Sequence, residues 1–167
     1  MGWTIACSGA LGAMVIGAAC GGDAADPLSK AEFVTEADAI CQDAQDEMTP
    51  IFDAVWAGLE DVDQAELAAD ETLVFARWEE ALVELTPILQ RNIDDIRALA
   101  PPTEDEEVIA TLLDDQEAAM TEFTALIEAA ADGDRSAMAR LEADDPFVEV
   151  DRRAREYGLT VCGQDAG

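Results

Sequence analysis

Between residues 75 and 99 the large apolar side chains Phe75, Trp78, Leu82, Leu85, Leu89, Ile96 and Leu99 follow one another at steps of three and four, with only Asn92 interrupting the series. That spacing gathers side chains on one face of an α-helix, whereas a half-buried strand would alternate at every second residue. Two more runs have the same period: Phe33, Ala37, Ile40, Cys41, Ala44, Met48, Ile51, Val55 and Leu59, then Ile109, Leu112, Leu113, Gln116, Met120, Phe123, Leu126, Ile127 and Ala130. Three helices of nearly 30 residues, each with one apolar stripe, must bury those stripes against one another, and short connections make successive helices antiparallel neighbours. The 167 residues leave room for one domain with its own core. Aromatic residues are few, five Phe, three Trp and one Tyr, so that core must be built largely from Leu, Ile and Val, in an Ala-rich chain that leans helical.

The run boundaries carry their own chemistry. Ser29 can cap the first helix while Glu32 reciprocates, and Leu28 can staple against Phe33. Pro50 and Pro87 each remove an amide donor from a helix interior, which predicts a kink or interruption at the first and a bend at the second. Residues 100–106, Ala-Pro-Pro-Thr-Glu-Asp-Glu, end one helix and start the next, with Thr103 as the expected cap and Glu106 three residues on. Asp132-Gly133-Asp134 is a turn signal. Beyond it the spacing predicts a short helix around Ser136 to Leu141, then Asp145 as a cap, Pro146 at the first helical position and a last helix stopped by Gly158. The expected fold is all-α: an up-down antiparallel four-helix bundle with a broken fourth helix, stapled by one disulfide. Asn92 is expected at the edge of its seam, in contact with water.

The amino-terminal 22 residues carry no charge, and Trp3 to Ala19 is apolar or small, too short and Gly-rich for a confident membrane span. Small residues at Gly17, Ala18 and Ala19 precede Cys20, which resembles the bacterial lipobox, where the cysteine is lipidated and becomes the first mature residue. Gly17 stands where the lipobox carries a bulky aliphatic residue, and no Lys or Arg precedes the apolar run, which points to a start codon upstream of Met1. A myristoylation signal is excluded because Ala6 stands where it needs Ser or Thr. The expected organisation is a lipoprotein-type signal peptide over residues 1–19, a tether over 20–28, a helical domain over 29–163 and a tail over 164–167. The alternatives are a plain secretory signal or an uncleaved anchor.

Four cysteines are present, Cys7, Cys20, Cys41 and Cys162. If the first leaves with the signal and Cys20 carries lipid, Cys41 and Cys162 remain, and an oxidising compartment would pair them. Their bond would close a loop of about 120 residues, which in the chain-entropy model contributes about 4 to 5 kcal/mol. The competing reading is two buried free thiols.

Charge and missing residue types exclude whole classes of function. The chain has 38 acidic and 9 basic residues, a formal charge of −29, which disfavours nucleic acid and anionic membrane surfaces as direct partners. There is no histidine, so Ser-His and Cys-His pairs and His-containing zinc sites are excluded, and no Gly-rich phosphate loop appears. Acidic clusters at Glu60 to Asp63, Glu104 to Glu107 and Asp114-Asp115 invite calcium or carboxylate catalysis. Asp61 and Asp63 lack a third oxygen ligand and a turn glycine, and the Asp132-Asp134-Ser136 series has Ala137 and Ala143 where a calcium loop needs Gly and Glu. These acids read as a solvated face. Trp56 and Trp78 read as core anchors or, alternatively, as the lining of a ligand groove between helices.

Residues 28–41, L-S-K-A-E-F-V-T-E-A-D-A-I-C, and 156–163, E-Y-G-L-T-V-C-G, resemble the flanks of small lipoproteins and secreted proteins of high-GC actinobacteria, a family without an assigned activity. Abundant Ala, Asp and Arg with a single lysine, Lys30, suit that source. The resemblance covers only these two stretches; it implies an exported helical domain with Cys41 bonded to Cys162, and it carries over no catalytic residue. The expected function is therefore an extracytoplasmic, envelope-anchored helical module, tied to the membrane by lipid on Cys20 or else secreted. It is expected to bind a protein or small-molecule partner without catalysis, and no cofactor or metal is expected. The alternatives are an extracytoplasmic enzyme working through carboxylates and a low-affinity cation-binding acidic protein.

Overall fold

The computed structural model describes residues 26–164. The expected signal peptide, most of the tether, Cys20 and the last three residues lie outside the described residues. Among those described the chain is all-helical, without strands: α1 Lys30–Glu60, α2 Gln64–Ala69, α3 Thr72–Ala98, α4 Glu106–Ala131, α5 Arg135–Ala143 and α6 Val148–Tyr157. None of these helices is long and apolar enough to cross a membrane.

Helix α1 begins as its sequence dictates. The Ser29 side chain accepts from the Glu32 amide, and the Glu32 carboxylate accepts from the Ser29 amide at 3.0 Å, which satisfies amides that the first helical turn cannot. Those bonds hold the Glu32 carboxyl below its ordinary range, the Ser29 hydroxyl contributing most. Leu28 packs against the core cluster that contains Phe33. Helix α1 runs continuously through Pro50, so it is not interrupted there, and α3 runs continuously through Pro87. Both prolines are exposed, so the carbonyls they deprive of a donor can take water instead.

Other boundaries differ from expectation by a turn or less. Helix α4 starts at Glu106 behind Asp105, and Thr103 lies in the preceding turn. Asp145 accepts from the Phe147 amide at 2.9 Å, but this ties a turn that includes Pro146, and α6 starts only at Val148. The short α2 has no counterpart in the periodic pattern; Asp63 caps it by accepting from the Ala65 amide at 2.7 Å. Helix α6 ends at Gly158, whose φ of 119° favours a residue without Cβ.

Helix α3 packs along both α1 and α4, and α4 in turn packs against α5 and α6. Pairings along the chain give the directions. Arg91 of α3 pairs with Glu47 of α1, while farther down Trp78 stacks edge-on against Trp56, centroids 5.9 Å apart. Arg97 bonds Asp114 and Glu117 in the first half of α4, whereas Phe75 packs near Ala130 at its end. On α6, Arg153 pairs with Asp115 and Phe147 lies against Phe123. Each of these pairs is antiparallel.

The core divides unequally. At one end α1, α3, α4, α6 and the tail share a single cluster centred on Phe33, Ile93, Ile109, Leu112, Val150 and Tyr157. At the other end there are two clusters. One joins α1 to α3 through Val55, Leu59, Ala81 and Leu85, and the other joins α4 to α5 through Leu126, Ala130, Ala137 and Met138. The break between α5 and α6 spans Asp144 to Phe147, and α3 reaches both lower clusters, with Ala81 and Leu85 in one and Phe75 packed against the other.

Candidate functional site

The carboxy-terminal tail is held beside α1 by covalent and polar bonds. Cys41 and Cys162 are disulfide-bonded, with Cα atoms 5.2 Å apart. One turn before Cys41, the Asp38 carboxylate accepts from the backbone amides of Thr160, Val161 and Cys162 at 3.0, 3.0 and 3.2 Å and from the Thr160 hydroxyl at 2.9 Å. One turn after Cys41, the Gln45 amide donates to the Val161 carbonyl at 3.1 Å. The tail also presses on α6: Arg155 donates to the Gly163 carbonyl, and a Cβ at Gly163 would meet the Asp151 carbonyl oxygen at 2.8 Å. Only glycine permits that approach.

Immediately below this clasp the two polar interruptions of the helical stripes come together. Asn92 of α3 donates toward the Cys41 sulfur at 3.7 Å, and Gln116 of α4 lines the same spaces as Asn92 and the disulfide. Above them a small apolar pocket of about 60 Å³ is lined by Phe33, Ile93, Ile96, Leu112 and their neighbours. Below them opens a groove of about 600 Å³. Met48 and Phe52 of α1, Trp78, Leu82, Leu85 and Leu89 of α3, Phe123 of α4, Leu141 of α5 and Phe147 before α6 form its walls. Gln45, Thr49, Asn92, Gln116, Asp145, Asp151 and Gln164 supply its polar groups. The volume falls in the range of small-molecule pockets, about 300 to 1,000 Å³, and a mostly apolar lining with a few polar groups is the usual composition of such sites.

The groove exists because the fourth segment is broken. Helix α6 lies beside α4 at the clasped end, and α5 turns back along the far end of α4. The space between α1 and the α5–α6 junction is thus left without a covering helix. Two aromatic pairs line it, Phe52 with Trp78 at a ring-centroid distance of 5.8 Å and Phe123 with Phe147 at 5.7 Å.

Both tryptophans were candidates as groove lining or core. Trp78 lines the groove and is partly buried, whereas Trp56 is 56 % exposed and touches the groove only through Trp78. Several members of the acidic clusters have structural occupations. Asp63 and Asp134 cap α2 and α5, Asp105 accepts from the Tyr157 hydroxyl at 2.8 Å, and Asp114 and Asp115 pair with Arg97 and Arg153. Among the described residues no group of three acids or cysteines is placed to hold a metal ion.

The carboxyls displaced from their ordinary range are displaced downward: Glu117 by its bonds from Arg97 and Gln90, Asp134 by Ser136 and Ala137, Glu149 by Arg152. Burial, and then the bond to Asp105, pushes the Tyr157 phenol well up. Sequence reasoning missed Asp38, Gln45 and Phe147 as site residues. The available signal was the pair Asn92 and Gln116, each a polar residue inside an otherwise apolar stripe. Compared with known proteins, the chain matches no family model, no curated protein and no solved structure.

Proposed function

We propose that this protein is an extracytoplasmic helical module, anchored to the membrane through lipid on Cys20, that holds a small, largely apolar molecule without transforming it. We read its framework as an up-down four-helix bundle whose fourth position is filled in two pieces. The observation that carries the binding role is the groove of about 600 Å³ beneath the Cys41–Cys162 clasp. A chain that only needed stability would gain by closing it, since each buried methylene is worth about 0.8 kcal/mol.

Export is supported by the disulfide, a bond that persists on oxidising sides of membranes, and by the lipobox-like run ending at Cys20. Those features, with the flanks around both cysteines, also agree with the resemblance to small actinobacterial lipoproteins. An extracytoplasmic enzyme working through carboxylates would have to use Asp145 and Asp151, the two acids on the groove. The Asp145 carboxylate is already occupied, accepting from the Phe147 amide in the turn before α6.

Mass spectrometry of the native protein extracted from membranes tests this reading. The expected result is a chain beginning at a lipidated Cys20, with Cys41 and Cys162 joined and a small molecule released on denaturation. Recovery from cytosol with residues 1–19 intact and both thiols open to alkylation would overturn it.

A further inference from the structure

Resting on the reading of the groove as a binding site, we propose that its ligand class is a cationic amphiphile, a molecule with one apolar body and one positively charged head. Three independent features converge on that class.

The first is polarity along the groove. Gln45 and Asn92 lie at the level of the disulfide, and Phe52 lies two helical turns below Gln45 on α1, about 10 Å away at 1.5 Å per residue. One end therefore presents amides, and the other presents aromatic and aliphatic surface. The Gln116 amide has no hydrogen-bond partner among the described residues, so it is available to a ligand's polar end.

The second is charge. None of the nine basic residues lines the groove, while Asp145 and Asp151 do. Arg91, Arg97, Arg140 and Arg153 are instead engaged in ion pairs with Glu47, Asp114, Glu122 and Asp115. In a chain of net charge −29, a cleft with low-dielectric walls focuses that negative field inward. An anionic head would enter against it with no cation to meet it.

The third is aromatic surface. Phe52 with Trp78 and Phe123 with Phe147 form two tilted ring pairs that line the groove. That surface suits the apolar body of the ligand, while its charged head lies toward the amide end.

The test is calorimetric titration of the full chain carrying Cys20→Ser, without detergent, with decyltrimethylammonium, a neutral decyl glucoside and decyl sulfate, all below their micellar concentrations. The expected result is one site per chain for the ammonium compound, at least about ten-fold tighter than the neutral one and weakening with added salt. Decyl sulfate should give no saturable binding. Thr49→Trp, placed at an exposed position on the groove wall, should abolish the site while leaving the far-ultraviolet circular dichroism unchanged, and Asp145→Asn should weaken the ammonium compound alone.

Equal affinity for ammonium and glucoside, or matching affinity for sulfate, would overturn the cationic class and leave the groove as a binding site. Absence of saturable binding by all three, or binding that survives Thr49→Trp, would overturn the groove itself. A lipid on Cys20 is untouched by either result.

Discussion

The clasped half of the molecule and the open half are built from the same three long helices, yet they solve the burial problem differently. At the clasped half, Phe33 and Ala37 are fully buried, Ile93 is 2 % exposed, and α6 and the tail complete the enclosure. At the open half, Trp56 and Val83 remain 56 % and 77 % exposed, and the apolar side chains form two clusters with a groove between them. The difference teaches that equal helical periodicity does not guarantee equal burial. What closes a bundle is the length of its shortest segment, and here that segment is divided at residues 144–147. Stability is concentrated where four segments meet, which leaves the other half free to carry a ligand-sized space.

The largest expected effect comes from cutting the clasp. Replacing Cys41 and Cys162 together by serine opens a loop with a sequence separation of 121 and should destabilise the fold by about 4 to 5 kcal/mol. Chemical denaturation with and without reductant should show the same loss in the native protein. A loss below about 1 kcal/mol would mean that the tail is held by its hydrogen bonds alone.

Packing should show the same asymmetry. Phe33→Ala at the clasped half is expected to cost about 3 to 5 kcal/mol, whereas Trp56→Ala at the open half should stay near about 0.5 kcal/mol, as for surface positions. Comparable losses at both would erase the distinction between the halves.

Asp38→Ala removes the acceptor for three tail amides and one hydroxyl. Because the carboxylate is partly solvated, the expected loss is about 1 to 3 kcal/mol. With the disulfide intact, hydrogen exchange should accelerate at Thr160 to Cys162 before it does at Ile93.

The smallest effect concerns pH. Burial and the bond to Asp105 raise the Tyr157 phenol above its value in the unfolded chain, about 10. A raised group contributes stability that is complete below the unfolded value and is lost as pH climbs through the folded one. Thermal stability should therefore fall above about pH 10, and Tyr157→Phe should flatten that fall at a cost of about 1 kcal/mol at neutral pH. An alkaline limb unchanged by the substitution would place its cause elsewhere.

Much of the fold is legible locally. The stripe from Phe75 to Leu99, the Ser29–Glu32 capping box and the stop at Gly158 are consequences of residues within a turn or two of each other, and each is found in place. Pro50 does not end its helix, because a missing donor is tolerated where the freed carbonyl can reach water, and both prolines are exposed. Cysteine counting pointed to Cys41 and Cys162 as a possible pair, but the Asp38 nest around the tail was invisible, because its bonds span more than 120 positions. Ile93, one of the two largest fully buried side chains, sat beside Asn92 without belonging to the recognised stripe, since helix α3 buries surface against α1 and α4 together.

The sequence by itself determined that every helical segment except the short α2 would be helical, where most of them begin and stop, and which cysteines were available to pair, because these depend on periodicity, caps and composition. Only the tertiary structure decided that Asn92 and Gln116 would meet at one level and that Phe52, Trp78, Phe123 and Phe147 would face a common space. A groove is a gap between elements, and its shape follows from how far α5 and α6 fall short of covering α1 and α3, a distance that no single helix encodes.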